Sequence, residues 1–189
     1  MLLINKWFQL INYAQEPTQE NWAAIQAFRQ QARFQGHWES LRSTDWEIAK
    51  LTGDEKLAEY VFFGTPFESL RREILQSDLG RDMPPSMVRV DGRVRSAQLA
   101  IMDGLKGENM PFKFGSSPYR LMLLMASDFY KPWTVFRLFD GLFGSESFNP
   151  FSSPKRVYRL MERLQAEVAL LKLPVEVSST PHGYRLRPV

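Results

Sequence analysis

Val157, Leu160, Met161, Leu164 and Val168 recur at three- and four-residue spacing, with Pro154 just ahead of them, where a helix tolerates a residue that has no N–H. An apolar stripe of that length is stable only against other elements, so neighbouring segments must cover it. The flanking sequence supplies candidates. Phe112 and Phe114 alternate in a short strand. Gly115 and Ser116 cap a helix carrying Tyr119, Leu121, Leu124 and Met125, and Pro132 and Thr134 open a second with Val135, Leu138, Phe139 and Leu142. After the loop from Gly144 to Ser153 and the long third helix, Val175 and Val177 alternate, a turn passes through Pro181 to Gly183, and Tyr184 to Arg187 returns. From Pro111 onward the predicted order is therefore strand, helix, helix, loop, long helix, hairpin.

The first 80 residues read as a separate all-helical domain. Trp22, Ile25, Phe28 and Ala32 mark a helix that Thr18 caps; Trp38, Leu41, Trp46 and Leu51 mark another that ends at Gly53; Asp54 caps a third with Leu57, Tyr60, Val61 and Phe62. Thr65-Pro66-Phe67-Glu68 has the form of a capping box: a hydroxyl, Pro at the first helical position, and a carboxylate three residues on. Trp7, Phe8, Trp22, Trp38, Trp46, Phe62 and Phe63 are expected to fill the core of this bundle. Gly80 to Pro85 breaks the pattern. Residues 81–110 then form a strand-rich connector in which Val88 to Arg95 alternates Val and Arg around Asp91-Gly92, a dipeptide suited to a two-residue hairpin turn.

Charge is distributed unevenly. Residues 1–78 hold 8 Lys and Arg against 11 Asp and Glu, residues 79–110 hold 5 against 4, and residues 111–189 hold 11 against 6. The basic excess of the last segment is the footprint of a phosphate binder. On the long helix, Arg156, Arg159 and Arg163 stand three and four residues apart and share a face with Lys155 nearby.

The segment from Pro111 resembles the effector domain of the OmpR/PhoB-type response regulators. The resemblance rests on PFKFGSSPYRLMLLMAS for the last strand and first helix, WTVFRLFDGLFG for the second helix, RVYRLMERLQAEV for the third and LPVEVSSTPHGYRL for the hairpin, closed by Gly183-Tyr184-Arg185-Leu186. It implies an α+β chain: an N-terminal all-helical domain, then a C-terminal winged helix-turn-helix domain with small antiparallel sheets over residues 111–189, to which 81–110 contribute strands. It further implies a transcriptional regulator that lays its third helix in the major groove of double-stranded DNA and touches the backbone or minor groove with its wing. Lys155, Arg156, Arg159 and Arg163, with His182 and Arg185 on the wing, are then the DNA-binding set. Phe148 and Phe151 sit in the loop that in some activators meets RNA polymerase. No receiver domain is recognisable in the first half.

The sequence departs from that family at Thr180-Pro181, where the wing usually carries an Arg followed by Gly, and at Gln165-Ala166-Glu167, late in the third helix. A second reading therefore stands beside the first: a non-enzymatic adaptor or signalling protein that uses the same surface for protein contact. Catalysis finds no support. The two histidines, His37 and His182, are far apart in sequence, cysteine is absent, and no nucleophile elbow, phosphate-cradling loop or metal motif occurs. The expectation is a non-enzyme without cofactor or metal, cytoplasmic, with no membrane span and no secretory signal, whose N-terminal domain serves sensing, partner binding or homodimerisation.

Overall fold

The computed structural model describes residues 2–81, 89–90, 93–94, 115–170 and 175–188. The chain divides into two compact units, Met1–Pro85 and Ser86–Val189.

In the first unit, α1 (Leu2–Gln15), α2 (Gln19–Phe34), α3 (Trp38–Thr52), α4 (Glu55–Gly64) and α5 (Glu68–Gln76) follow one another, with a 3-10 turn at Asp78–Gly80. Their ends are set by local chemistry. The Thr18 hydroxyl accepts from the Asn21 N–H at 3.2 Å, and the Asp54 carboxylate accepts from the Leu57 N–H at 3.0 Å. Gly53 closes α3 in the left-handed region at φ 68°, where a side chain would be strained. Asp54→Ala is expected to destabilise this unit by about 1 kcal/mol. A urea midpoint unchanged within error in that variant would show the cap to be dispensable.

Leu10, Ile25 and Ile48 join α1, α2 and α3 in one buried cluster, flanked by Tyr13, Trp22 and Leu57. Trp46 is buried on α3 and donates its indole N–H to Glu73 of α5 at 2.6 Å. Of the aromatics expected in the core, Trp46 and Phe62 are buried, and Trp22, Trp38 and Phe63 are half-buried. Trp7 and Phe8 are instead exposed on α1, with Ile11 beside them.

The capping box at Thr65 does not form. The helix begins at Glu68, two residues later than expected, and the Thr65 hydroxyl accepts from Phe67 N–H in a short turn. Buried Arg71 explains the delay: its Nη1 donates to the Thr65 carbonyl at 2.6 Å, so a tertiary bond takes the group that would have started the helix. Glu68, freed from capping, pairs with Arg72 at 2.6 Å.

In the second unit β1 (Arg89–Val90) and β2 (Arg93–Val94) pair antiparallel, Arg89 opposite Val94 and Val90 opposite Arg93. The turn expected at Asp91-Gly92, the strand expected at Phe112 to Phe114 and most of the 81–110 connector lie outside the described residues. Then come α6 (Ser117–Met125), α7 (Val135–Phe143), α8 (Ser153–Leu170) and a hairpin of β3 (Val175–Thr180) and β4 (Gly183–Pro188). Ser116 and Thr134 cap α6 and α7 through the N–H groups of Tyr119 and Arg137. Leu121, Met122 and Met125, Leu138, Phe139 and Leu142, and Val157, Met161, Leu164 and Val168 supply the buried sides of the three helices, joined by Leu186 of β4.

The expected α+β class with a winged helix-turn-helix domain is overturned. The described chain is mostly helical, and its C-terminal unit ends in a single two-stranded antiparallel sheet. The physical reason lies at Pro132-Trp133-Thr134. A third strand would have to run along the free edge of β4 here, yet among the described residues only Trp133 bridges to that edge, opposite Tyr184. Pro132 has no N–H to donate to a ladder, and Thr134 is already committed to capping α7. Among the described residues no helix is long and apolar enough to cross a membrane.

Candidate nucleic-acid interface

The loop before α8 is organised by its own polar side chains. Asn149 Oδ1 accepts from Phe151 N–H at 2.8 Å and Ser152 N–H at 3.3 Å, while Ser153 Oγ accepts from Asn149 N–H at 2.9 Å. This delivers α8 with Ser153, Val157, Met161, Leu164 and Val168 inward. Helical periodicity then puts Lys155, Arg159, Glu162 and Ala166 opposite the buried stripe, and all four are exposed. Arg163 lies on the edge of that face, exposed, and forms an ion pair with Glu167 one turn on at 2.9 Å.

Arg156 sits on the flank of α8 that faces α7. Its Nη1 and Nη2 donate to the two carboxylate oxygens of Glu146 at 2.5 and 3.2 Å, and its guanidinium lies 4.0 Å from the centre of the Phe143 ring and 5.5 Å from that of Phe139. The hydrogen bond from Arg156 holds the Glu146 carboxyl below the usual carboxylate range, and the same bond raises the pKa of the guanidinium. Sequence reasoning did not find Glu146, which lies ten residues upstream in a loop where no periodicity relates it to the helix.

The hairpin stands beside the other flank of α8. Gln165 donates to the Val177 carbonyl at 3.4 Å, and the Tyr184 phenol is pushed up first by burial and then by the nearby Tyr158 and Glu162. Thr180 closes the hairpin. Its hydroxyl donates to the Gly183 carbonyl at 2.7 Å and accepts from His182 N–H at 3.3 Å. His182 is exposed at the tip. Arg185 is turned inward at 8% exposed, so it offers little to an outside partner, whereas Arg187 is exposed opposite Glu176 in the register. Phe148 packs edge-on against Phe136 and Phe139, and Phe151 projects from the loop at 85% exposed.

Of the six residues expected to meet DNA, the structure therefore brings Lys155 and Arg159 together on the outward face, with Arg163 at its edge and His182 on the hairpin tip. Arg156 and Arg185 are held elsewhere. Comparison with protein-family models, with curated proteins and with solved structures finds no match for this chain.

Proposed function

We propose that this chain is a transcriptional regulator that binds double-stranded DNA through its C-terminal unit, with the outward face of α8 against the duplex. The observation that carries this reading is the pairing of Lys155 and Arg159 one turn apart, opposite the buried stripe of an 18-residue helix, in a segment with 11 basic against 6 acidic residues. An α-helix fits the major groove, Arg recognises a guanine edge in two places, and Lys supplies charge to phosphate. Arg163 and the exposed hairpin residues His182 and Arg187 lie to either side as further contacts. The acidic first unit repels DNA, which suits it to sensing or to holding a protein partner.

The test is the affinity of the full chain for random-sequence duplex DNA across a salt series. A phosphate binder loses affinity linearly in log salt, with a slope of about −0.9 per phosphate neutralised. Lys155→Ala with Arg159→Ala should flatten that slope by about 1.8 and leave the helical circular dichroism unchanged. No duplex binding at low salt, or an unchanged slope in the double variant, sinks this reading. A second reading, an adaptor that contacts a protein such as RNA polymerase, is favoured by Phe151, because a large apolar side chain held out on an organised loop resembles an interface anchor. Loss of a protein partner on Phe151→Ala, in a chain that does not bind DNA, would establish it.

A further inference from the structure

We propose that Glu146 is an internal competitor of DNA for Arg156, so that the resting protein holds one cation on the flank of α8 in reserve. The inference rests on the duplex-binding reading and concerns the regulation of that same surface.

The geometry makes the competition direct. A guanidinium meets a phosphate or a guanine edge through paired, parallel N–H groups, the same edge it offers to a carboxylate. In Arg156 that edge, Nη1 and Nη2, is occupied by both oxygens of Glu146, and one face of the group is covered by Phe143. Arg156 therefore cannot take a nucleic-acid ligand through that edge until Glu146 leaves, and while the pair is closed its charge is cancelled. Both partners are near the surface, with side chains 43% and 49% exposed, so the bond is open to displacement instead of being locked into the core. Phe143 and Phe139 keep the guanidinium beside α8 once it is released, because the stacking does not involve Glu146. The loop carrying Glu146 is tied back by the bond from its N–H to the Phe143 carbonyl at 2.7 Å, which places the carboxylate within reach of Arg156 before any ligand arrives.

A simple acidic deterrent would also weaken DNA binding, and a double-mutant cycle separates the two. Binding of the full chain to random-sequence duplex DNA is measured for the parent, Glu146→Gln, Arg156→Ala and the double variant, over a salt series. If Glu146 competes for Arg156, Glu146→Gln tightens binding and steepens the salt slope by about 0.9, the increment of one more phosphate contact. Arg156→Ala is then nearly silent in the parent and costs several-fold in affinity in the Glu146→Gln background. An equal effect of Arg156→Ala in both backgrounds overturns the proposal and leaves Glu146 as a local repulsive charge. Duplex binding by none of the four proteins overturns the duplex-binding reading itself, and the competition with it. Unchanged helical circular dichroism in Glu146→Gln guards against a folding artefact, and Glu146→Ser, which also removes the carboxylate, must reproduce its effect.

Discussion

Gly183→Ala is expected to cost the C-terminal unit about 3 kcal/mol, because two separate penalties fall on one residue. Gly183 lies at φ 127°, a conformation that L side chains rarely adopt. A Cβ placed there would also stand 2.5 Å from the Trp133 carbonyl oxygen, 2.8 Å from its carbon and 3.0 Å from the Thr134 nitrogen. These are backbone atoms held in place. The Trp133 carbonyl accepts from Tyr184 N–H at 2.9 Å, Trp133 N–H donates to the Tyr184 carbonyl at 2.7 Å, and Thr134 is the cap of α7. Relief of the clash must break the bridge that ties the hairpin to the helices. Gly115→Ala provides the comparison within the same unit: φ is 73° and no atom of the described residues lies within 4 Å of the added carbon, so the conformational penalty of about 1 kcal/mol is the one expected. Amide exchange at Tyr184 and Leu186 should accelerate strongly in Gly183→Ala and slightly in Gly115→Ala. Equal effects in the two variants would mean that the close approach to Trp133 contributes nothing.

Asp45→Ala should destabilise the N-terminal unit by about 3 kcal/mol. Arg29 Nε donates to Asp45 Oδ1 at 2.7 Å between α2 and α3, with the Asp45 side chain 2% and the Arg29 side chain 17% exposed. Removal of the carboxylate leaves a guanidinium with little water and no counter-charge from Asp45, and that desolvation penalty exceeds the loss of an ordinary hydrogen bond. The pair itself need not be stabilising relative to an apolar one, so Arg29→Met with Asp45→Leu should recover much of the loss. Trp46, adjacent and buried, reports the transition by fluorescence during urea unfolding. A shift of Asp45→Ala within about 0.5 kcal/mol of the parent, the range of ordinary surface changes, would show that water reaches Arg29 in the variant and screens it.

Arginine is where the sequence and the structure part most clearly. Arg42, Arg71 and Arg185 are buried, although arginine is seldom fully inside a protein. Arg71 takes the Thr65 carbonyl where the sequence predicts a capping box, Arg42 stacks 4.9 Å over the Phe67 ring, and Arg120 reaches across from α6 to the Leu142 carbonyl at 2.6 Å. None of these partners stands at a helical or strand spacing from its arginine, so no periodic pattern announces them.

Signals that act within about four residues were legible: Thr18, Asp54, Ser116 and Thr134 as caps, Gly53 as a helix end, the apolar stripe of α8, and the β3–β4 hairpin. The caps and the helix end each concern a backbone group satisfied by its own neighbourhood, while the stripe and the hairpin follow the residue periodicity of a helix and a strand, which is why the amino-acid order alone could determine them. Tertiary structure decided how far Trp133 extends the hairpin, whether Thr65 starts a helix, and which cations on and around α8 face outward. Lys155, Arg156 and Arg159 lie within five residues of one another, and their spacing alone cannot distinguish them. Phe143 and Glu146, brought in from the end of α7 and the following loop, hold Arg156 aside because a guanidinium binds whichever carboxylate and ring the packing sets beside it.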